Sequence, residues 1–133
     1  MTNLRALIVD DDSGIRETLS YALEDVGFSV LEAGDGAEAL DVLRAIPDRM
    51  VVLLDILMPK LDGLSVLDAV AQDRQLAQRH AYILLTASPQ TLPNNLADTY
   101  SGLTVAALSK PFSLDTLQEI MLDTLQRLPV VSQ

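Results

Sequence analysis

The chain of 133 residues has no cysteine and no tryptophan, and aromatic residues make up 4% of it. Without cysteine there is neither a disulfide framework nor a thiolate site, and nothing points to an oxidising compartment. A cytoplasmic location is the expectation. With so few rings and 49% hydrophobic residues, the core has to be aliphatic, of the kind that packs helices against a sheet. Positive charge is scarce as well: nine Lys and Arg stand against 19 Asp and Glu, a formal net charge of -10. Scattered basic residues form no patch for a phosphate backbone, so no binding of nucleic acid by this domain is expected. No apolar run reaches the length that spans a bilayer, and the acids from Asp10 onward exclude an ordinary signal peptide. No membrane contact is expected either.

What the chain does have is aliphatic sequence in short runs. These alternate with amphipathic segments five times, the pattern of βα units feeding a parallel sheet in one α/β domain. Strands are expected over Arg5–Val9, Phe28–Ala33, Met50–Leu54, Tyr82–Leu85 and Thr104–Leu108. Ser13–Val26 predicts the first helix, with Ile15, Leu19, Ala22, Leu23 and Val26 on one face and Gly27 as its stop. Further helices are expected over Ala37–Ile46, Leu64–Gln75 and Leu114–Leu128, and a short fourth helix over Pro93–Tyr100, which Pro93 can open and Gly102 can end. Residues 1–128 then form the domain, and Pro129–Gln133 read as a short tail or the stub of a linker.

Asp55 stands at the end of the most apolar stretch, Met50-Val-Val-Leu-Leu-Asp55. A lone carboxylate taken out of water costs on the order of several kcal/mol unless it is paired or bound to a metal. In an open parallel sheet the ligand crevice lies outside the carboxyl ends of the strands, and here those ends are polar. The first strand runs into Asp10-Asp11-Asp12, the third into Asp55, the fourth into Thr86-Ala87-Ser88 and the fifth into Ser109-Lys110-Pro111. Each taken alone has a plain reading: acids cap the helix that follows, a threonine bonds locally, a lysine is solvated. Their coincidence at four strand ends points to a site. Carboxylates in one crevice call for a cation, and Mg²⁺ takes oxygen ligands from one or two carboxylates while keeping waters. A lysine and a threonine hydroxyl facing the same point suit a dianionic oxyanion such as a phosphoryl group.

The stretches Leu7-Ile-Val-Asp-Asp-Asp12, Asp55-Ile-Leu-Met-Pro59 with Asp62-Gly63, Leu85-Thr-Ala87 and Lys110-Pro-Phe112 resemble the receiver domains of two-component response regulators. The resemblance covers nearly the whole chain. It implies a doubly wound, flavodoxin-like α/β fold, a five-stranded parallel sheet of order 2-1-3-4-5 flanked by five helices. It further implies that Asp55 accepts a phosphoryl group from a phosphohistidine on a sensor histidine kinase. Asp10 and Asp11, with Asp55 and the backbone carbonyl of Leu57, would hold Mg²⁺ or Mn²⁺. Lys110 would pair with the phosphoryl oxygens, Thr86 would donate its hydroxyl, and the amide of Ala87 would add a donor. Output would pass by protein contact to a downstream protein or a C-terminal effector domain, without enzymatic turnover.

Asp12 matches no such role and is assigned to capping the first helix, as Asp62 is for the third. His80 is expected to be a partly buried structural residue and not a relay. In the family, the third residue before the lysine is usually Tyr or Phe, whose rotation reports phosphorylation. Here it is Ala107, and alanine has no rotamer to switch, so coupling is expected to be weakened or rerouted. At Leu57 and Ser88, beside the path of the hydrolytic water in this family, nothing orients water, which implies an acyl phosphate that is not especially short-lived. Apolar positions on the last helix cover an arc of roughly 200°, about twice what facing a sheet requires. Part of that arc is expected to be exposed, available to a homodimer through the fourth helix, fifth strand and fifth helix. Three rivals exist. A Mg²⁺-dependent aspartyl phosphatase would need an acid where Leu57 stands. A flavodoxin-like carrier would need a loop free of Asp10-Asp11-Asp12. A pseudo-receiver would normally have lost Asp55, Lys110 or part of the acidic pair.

Overall fold

A computed structural model describes residues 4–58, 61–88, 90, 92, 96–100 and 102–127. Strands β1 (Arg5–Val9), β3 (Val51–Asp55) and β4 (Ala81–Thr86) are buried nearly throughout, because each carries apolar side chains to both faces of the sheet. The edge strands β2 (Ser29–Ala33) and β5 (Thr104–Ser109) have mixed exposure. All pairings are parallel and the order is β2-β1-β3-β4-β5, as the resemblance implies.

Alternation along the strands divides the core in two. Leu7, Val9, Val52, Leu54 and Leu84 face one layer with α2 (Gly36–Ala45), α3 (Gly63–Ala71) and α4 (Arg74–Arg79). Ala6, Ile8, Val51, Leu53 and Ile83 face α1 (Ser13–Glu24) and α6 (Leu114–Gln126). Polar side chains start the helices: Asp12, Asp35, Asp62, Asp73 and Ser113 each accept from amides of the turn they open, a contribution of about 1 kcal/mol apiece. Gly27 follows α1 with φ 101°, a conformation that glycine adopts at little cost.

Two expectations need correction, the extent of the third helix and the depth of His80. The helix expected over 64–75 ends at Ala71, and α4 is a separate helix, so six helices rather than five occur among the described residues. The cause is Asp73, whose carboxylate accepts from the amides of Gln75 and Leu76 and starts a new turn. Ile15 lies on the apolar stripe of α1 as expected, yet it is 40% exposed. His80 is fully rather than partly buried, with Nδ1 accepting from the Met50 amide at 3.0 Å.

Of the helix expected over 93–100, α5 (Leu96–Thr99) is described; Pro93 lies outside the described residues, as do Pro59, Pro89, Leu128 and 129–133. Among the described residues no helix is long and apolar enough to cross a membrane.

Candidate functional site

The first strand's ladder runs one residue past β1, where the Asp10 amide donates to Ala33 O at 3.1 Å. That bond carries Asp10 into the interior at 1% exposure, while Asp11 beside it is exposed. One carboxylate oxygen of Asp10 accepts from the Asp12 amide at 2.9 Å; the other, Oδ2, is buried with no partner. Burial raises the Asp10 pKa, as do the nearby charges of Asp55 and Asp11, against the Asp12 amide and the Lys110 charge, which lower it. Asp12 turns away to cap α1, accepting from Gly14 N at 2.9 Å and Ile15 N at 3.2 Å.

Asp55 ends β3 at 9% exposure. Lys110 reaches it from the end of β5, with Nζ 3.4 Å from Asp55 Oδ1. The lysine's backbone is fixed by its amide, which donates to Thr86 O at 2.7 Å. Thr86 is buried, and its hydroxyl oxygen accepts from the Ser88 amide at 2.9 Å, an arrangement that leaves the hydroxyl's own proton to be donated elsewhere. Ile15, Ala87, Lys110, Pro111 and Phe112 line a crevice of about 420 Å³ at this end of the sheet. Leu57 is 80% exposed, so its side chain stands in solvent and only its backbone can serve the site. Asp62 caps α3 through Ser65 N at 2.8 Å. Gly63 opens that helix where a Cβ would come within 2.7 Å of the Asp55 carbonyl, so a side chain there would displace the end of β3.

One oxygen from each of Asp10, Asp11 and Asp55 lies within 4.8 Å of the others. Three carboxylates so close, with one ammonium facing them, leave unbalanced negative charge in a half-buried place. The unpartnered Oδ2 of Asp10 is the sharpest sign that a cation belongs there, since a buried carboxylate oxygen without a donor costs more than a neutral group in the same position. An all-oxygen set of this kind fits Mg²⁺ or Mn²⁺.

Elsewhere, Ala107 is exposed on β5 opposite Leu84, with no ring to turn. The buried aromatic between α5 and β5 in the chain is Tyr100, which the sequence did not single out. It is buried and donates its hydroxyl to Asp68 Oδ1 at 2.8 Å, and its pKa is pushed up to about 12, first by burial and then by that bond. Its only sequence signal is a large apolar ring following a short helix, which many loop residues share. His80 lies at the opposite edge of the sheet from the acidic crevice.

The response regulator receiver domain family matches residues 6–122 of the chain. A probable transcriptional regulator ycf27 of Guillardia theta is 38% identical over 130 residues, covering 95% of this chain and 47% of that protein. The response regulator MprA of Mycobacterium avium is 38% identical over 128 residues, covering 93% of this chain and 52% of its own length. The chain thus spans about half the length of these curated relatives. Among solved structures, a CheY-like receiver domain protein of Methanospirillum hungatei superposes with a TM-score of 0.78 at 31% identity, covering 93% of this chain and 95% of that one. Chemotaxis protein CheY4 of Vibrio cholerae gives 0.74 at 32% identity, covering 96% and 99%. With the strand order, the two-sided helical packing and these matches in agreement, the chain belongs to the response regulator receiver domain family.

Proposed function

We propose that Asp55 is the phosphoacceptor of a two-component system and that the chain signals by protein contact, not by turnover. The observation that carries this reading is the Lys110 ammonium 3.4 Å from Asp55, on a carboxylate whose neighbours Asp10 and Asp11 converge on the same point. In the reaction, an Asp55 oxygen attacks phosphorus and the P–N bond of a kinase phosphohistidine breaks. The bonding electron pair returns to the ring nitrogen, leaving an acyl phosphate on Asp55. Asp10 and Asp11, with Asp55 and the Leu57 carbonyl, hold the divalent cation. When bound, that ion supplies positive charge to the transferred oxygens. Lys110, already facing Asp55, would pair with the phosphoryl oxygens, and the Thr86 hydroxyl and Ala87 amide would donate to those that remain. Little covalent chemistry is asked of the protein beyond the nucleophile; position and charge do the rest.

The partners are a sensor histidine kinase and, downstream, a separate protein or an effector domain. Leu114 and Leu122 of α6 are 43% and 38% exposed, which favours an α5–β5–α6 face in a homodimer or partner contact. Because Ala107 replaces the usual ring, either movement of Thr86 alone or a rearrangement of the fourth-helix region, α5, carries the signal. Residues 1–128 form the receiver unit.

Incubation with Mg²⁺ and acetyl phosphate should incorporate phosphate that hydroxylamine removes, and Asp55→Asn should reduce incorporation at least about 100-fold. Undiminished incorporation in that variant would overturn the assignment. The aspartyl phosphatase reading is disfavoured by Leu57, solvent-exposed where its general acid would stand, and no steady turnover of phosphomonoesters is expected.

A further inference from the structure

The turn that carries Asp10 and Asp11 is held from outside the acidic cluster. Arg16, in the first turns of α1, donates from a terminal guanidinium nitrogen to the backbone carbonyl of Asp10 at 2.6 Å, and from Nε to Glu32 Oε1 at 3.0 Å. The other oxygen of Glu32 accepts from the Ser20 hydroxyl at 3.3 Å. Glu32 sits on β2 between Leu31 and Ala33 and, like Val30, points to the layer that packs α1. The guanidinium is largely enclosed, its side chain 19% exposed. Its two contacts therefore bridge helix, edge strand and the exit of β1.

Resting on the function proposed above, we propose that Arg16 is a positioning residue for the divalent cation, oriented by Glu32. It fixes the Asp10 carbonyl and so the direction in which the Asp10 and Asp11 carboxylates leave the turn. The three carboxylates cannot do this for one another, because Asp10, Asp11 and Asp55 repel one another, and of the turn's own bonds the Asp12 amide holds only one oxygen of Asp10. A rigid fork on the backbone keeps them convergent before the ion arrives. Pairing with Glu32 leaves the brace close to electrically neutral, so it adds little repulsion against an incoming cation.

This makes the sign of the mutational effect diagnostic. Arg16→Ala removes a positive charge and leaves Glu32 unpaired beside the site, so simple electrostatics predicts tighter Mg²⁺ binding. Positioning predicts the reverse, a dissociation constant raised about tenfold, the scale seen when an outer partner of a metal ligand is lost. Mg²⁺ affinity is read from amide shifts of the Asp10–Asp12 turn in an NMR titration of the whole chain. Arg16→Lys, which keeps the charge but reaches one acceptor rather than two, should fall between wild type and Arg16→Ala. Glu32→Gln should weaken binding by about threefold, through loss of orientation and an uncompensated guanidinium. It also serves, with Arg16→Lys, if Arg16→Ala does not fold. Affinity unchanged or tighter in the folded Arg16 variants, even with lower thermal stability, would reduce Arg16 to a fold contact and overturn the proposal. Absence of Mg²⁺ binding by the wild type would instead overturn the proposed function, so the two failures are distinct.

Discussion

At the amino edge of the sheet His80 is fully buried between β3 and β4, yet its Nδ1 receives the Met50 amide at 3.0 Å. On the same side Arg5 and Asp48 form an ion pair at 2.6 Å. At the carboxyl edge Asp10 is buried as deeply, but it faces Asp11 and Asp55 and keeps one oxygen without a donor. Both ends therefore hold buried polar groups that lack a hydrogen-bond partner: His80 Nε2 and Arg5 Nε at one, the latter answered by the charge of Asp48, and Asp10 Oδ2 at the other. The difference lies in what the unmatched atom is. A neutral imidazole N–H lying across the Tyr82 ring, with centroids 6.3 Å apart and planes at 87°, costs about 1–3 kcal/mol at most and is bearable as structure. A carboxylate oxygen among like charges is not bearable for its own sake, and it marks the end of the sheet where something is meant to bind.

Acid should separate the two ends most widely. Burial first, and then the charge of Arg79, lower the His80 pKa from 6.5 to about 4. The unfolded chain therefore takes up that proton before the folded one. The stability tied to neutral His80 is whole above pH 6.5 and is lost as pH falls toward about 4, in all about 3 kcal/mol. His80→Asn keeps an acceptor for the Met50 amide but does not titrate. Urea denaturation across that window should show a loss about 3 kcal/mol smaller in the variant, and parallel curves would erase the contrast.

Gly63→Ala tests how closely the floor under Asp55 is built. With 2.7 Å between a Cβ and the Asp55 carbonyl, it should cost about 2 kcal/mol and slow phosphorylation, and a neutral result would mean that the end of β3 yields easily. Smaller still, Asp10→Asn should stabilise the metal-free protein by about 1 kcal/mol near neutral pH, since it removes a charge that burial and two neighbours oppose. The raised pKa of Asp10 carries the opposite sign to that of His80: its penalty is present above the folded pKa and fades as pH falls through it. The variant's advantage should therefore shrink in acid and reverse when Mg²⁺ stabilises only the wild type. Destabilisation in the absence of metal would show that the carboxylate is needed for the fold itself.

The sequence made the strand ends legible because β1, β3 and β4 are apolar on both sides, so the polar residue that stops each run is conspicuous. Asp10, Asp55 and Thr86 are all of this kind, Lys110 follows the edge strand β5, and the structure brings the four to one edge. The break before α4 was not legible, since Gln75 continues a helical period and only the cap made by Asp73 shows that the chain starts afresh. Ile15 exposes a different gap: periodicity assigns a residue to a stripe but not to a partner that covers it. His80 could be recognised as structural, but its depth depends on the pairing of β3 with β4, which brings Met50 to it across the sheet. Arg16 and Glu32 were invisible for the same reason, because the pairing of β1 with β2 sets their meeting, and neither residue is unusual in its own segment.

The acidic crevice draws on four strand exits, from Asp10 near the start of the chain to Lys110 near its end. No local stretch contains it. A nascent chain that has not yet released Lys110, or a chain whose last strand has come away, has no ammonium to face Asp55. Every strand pairing in this sheet joins residues distant in sequence, so the site is complete only when the pairing of β4 with β5 has been made. On the proposed function, phosphorylation would then double as an inspection of the finished molecule: a chain without β5 in place would lack the ammonium that faces Asp55 and would not be charged.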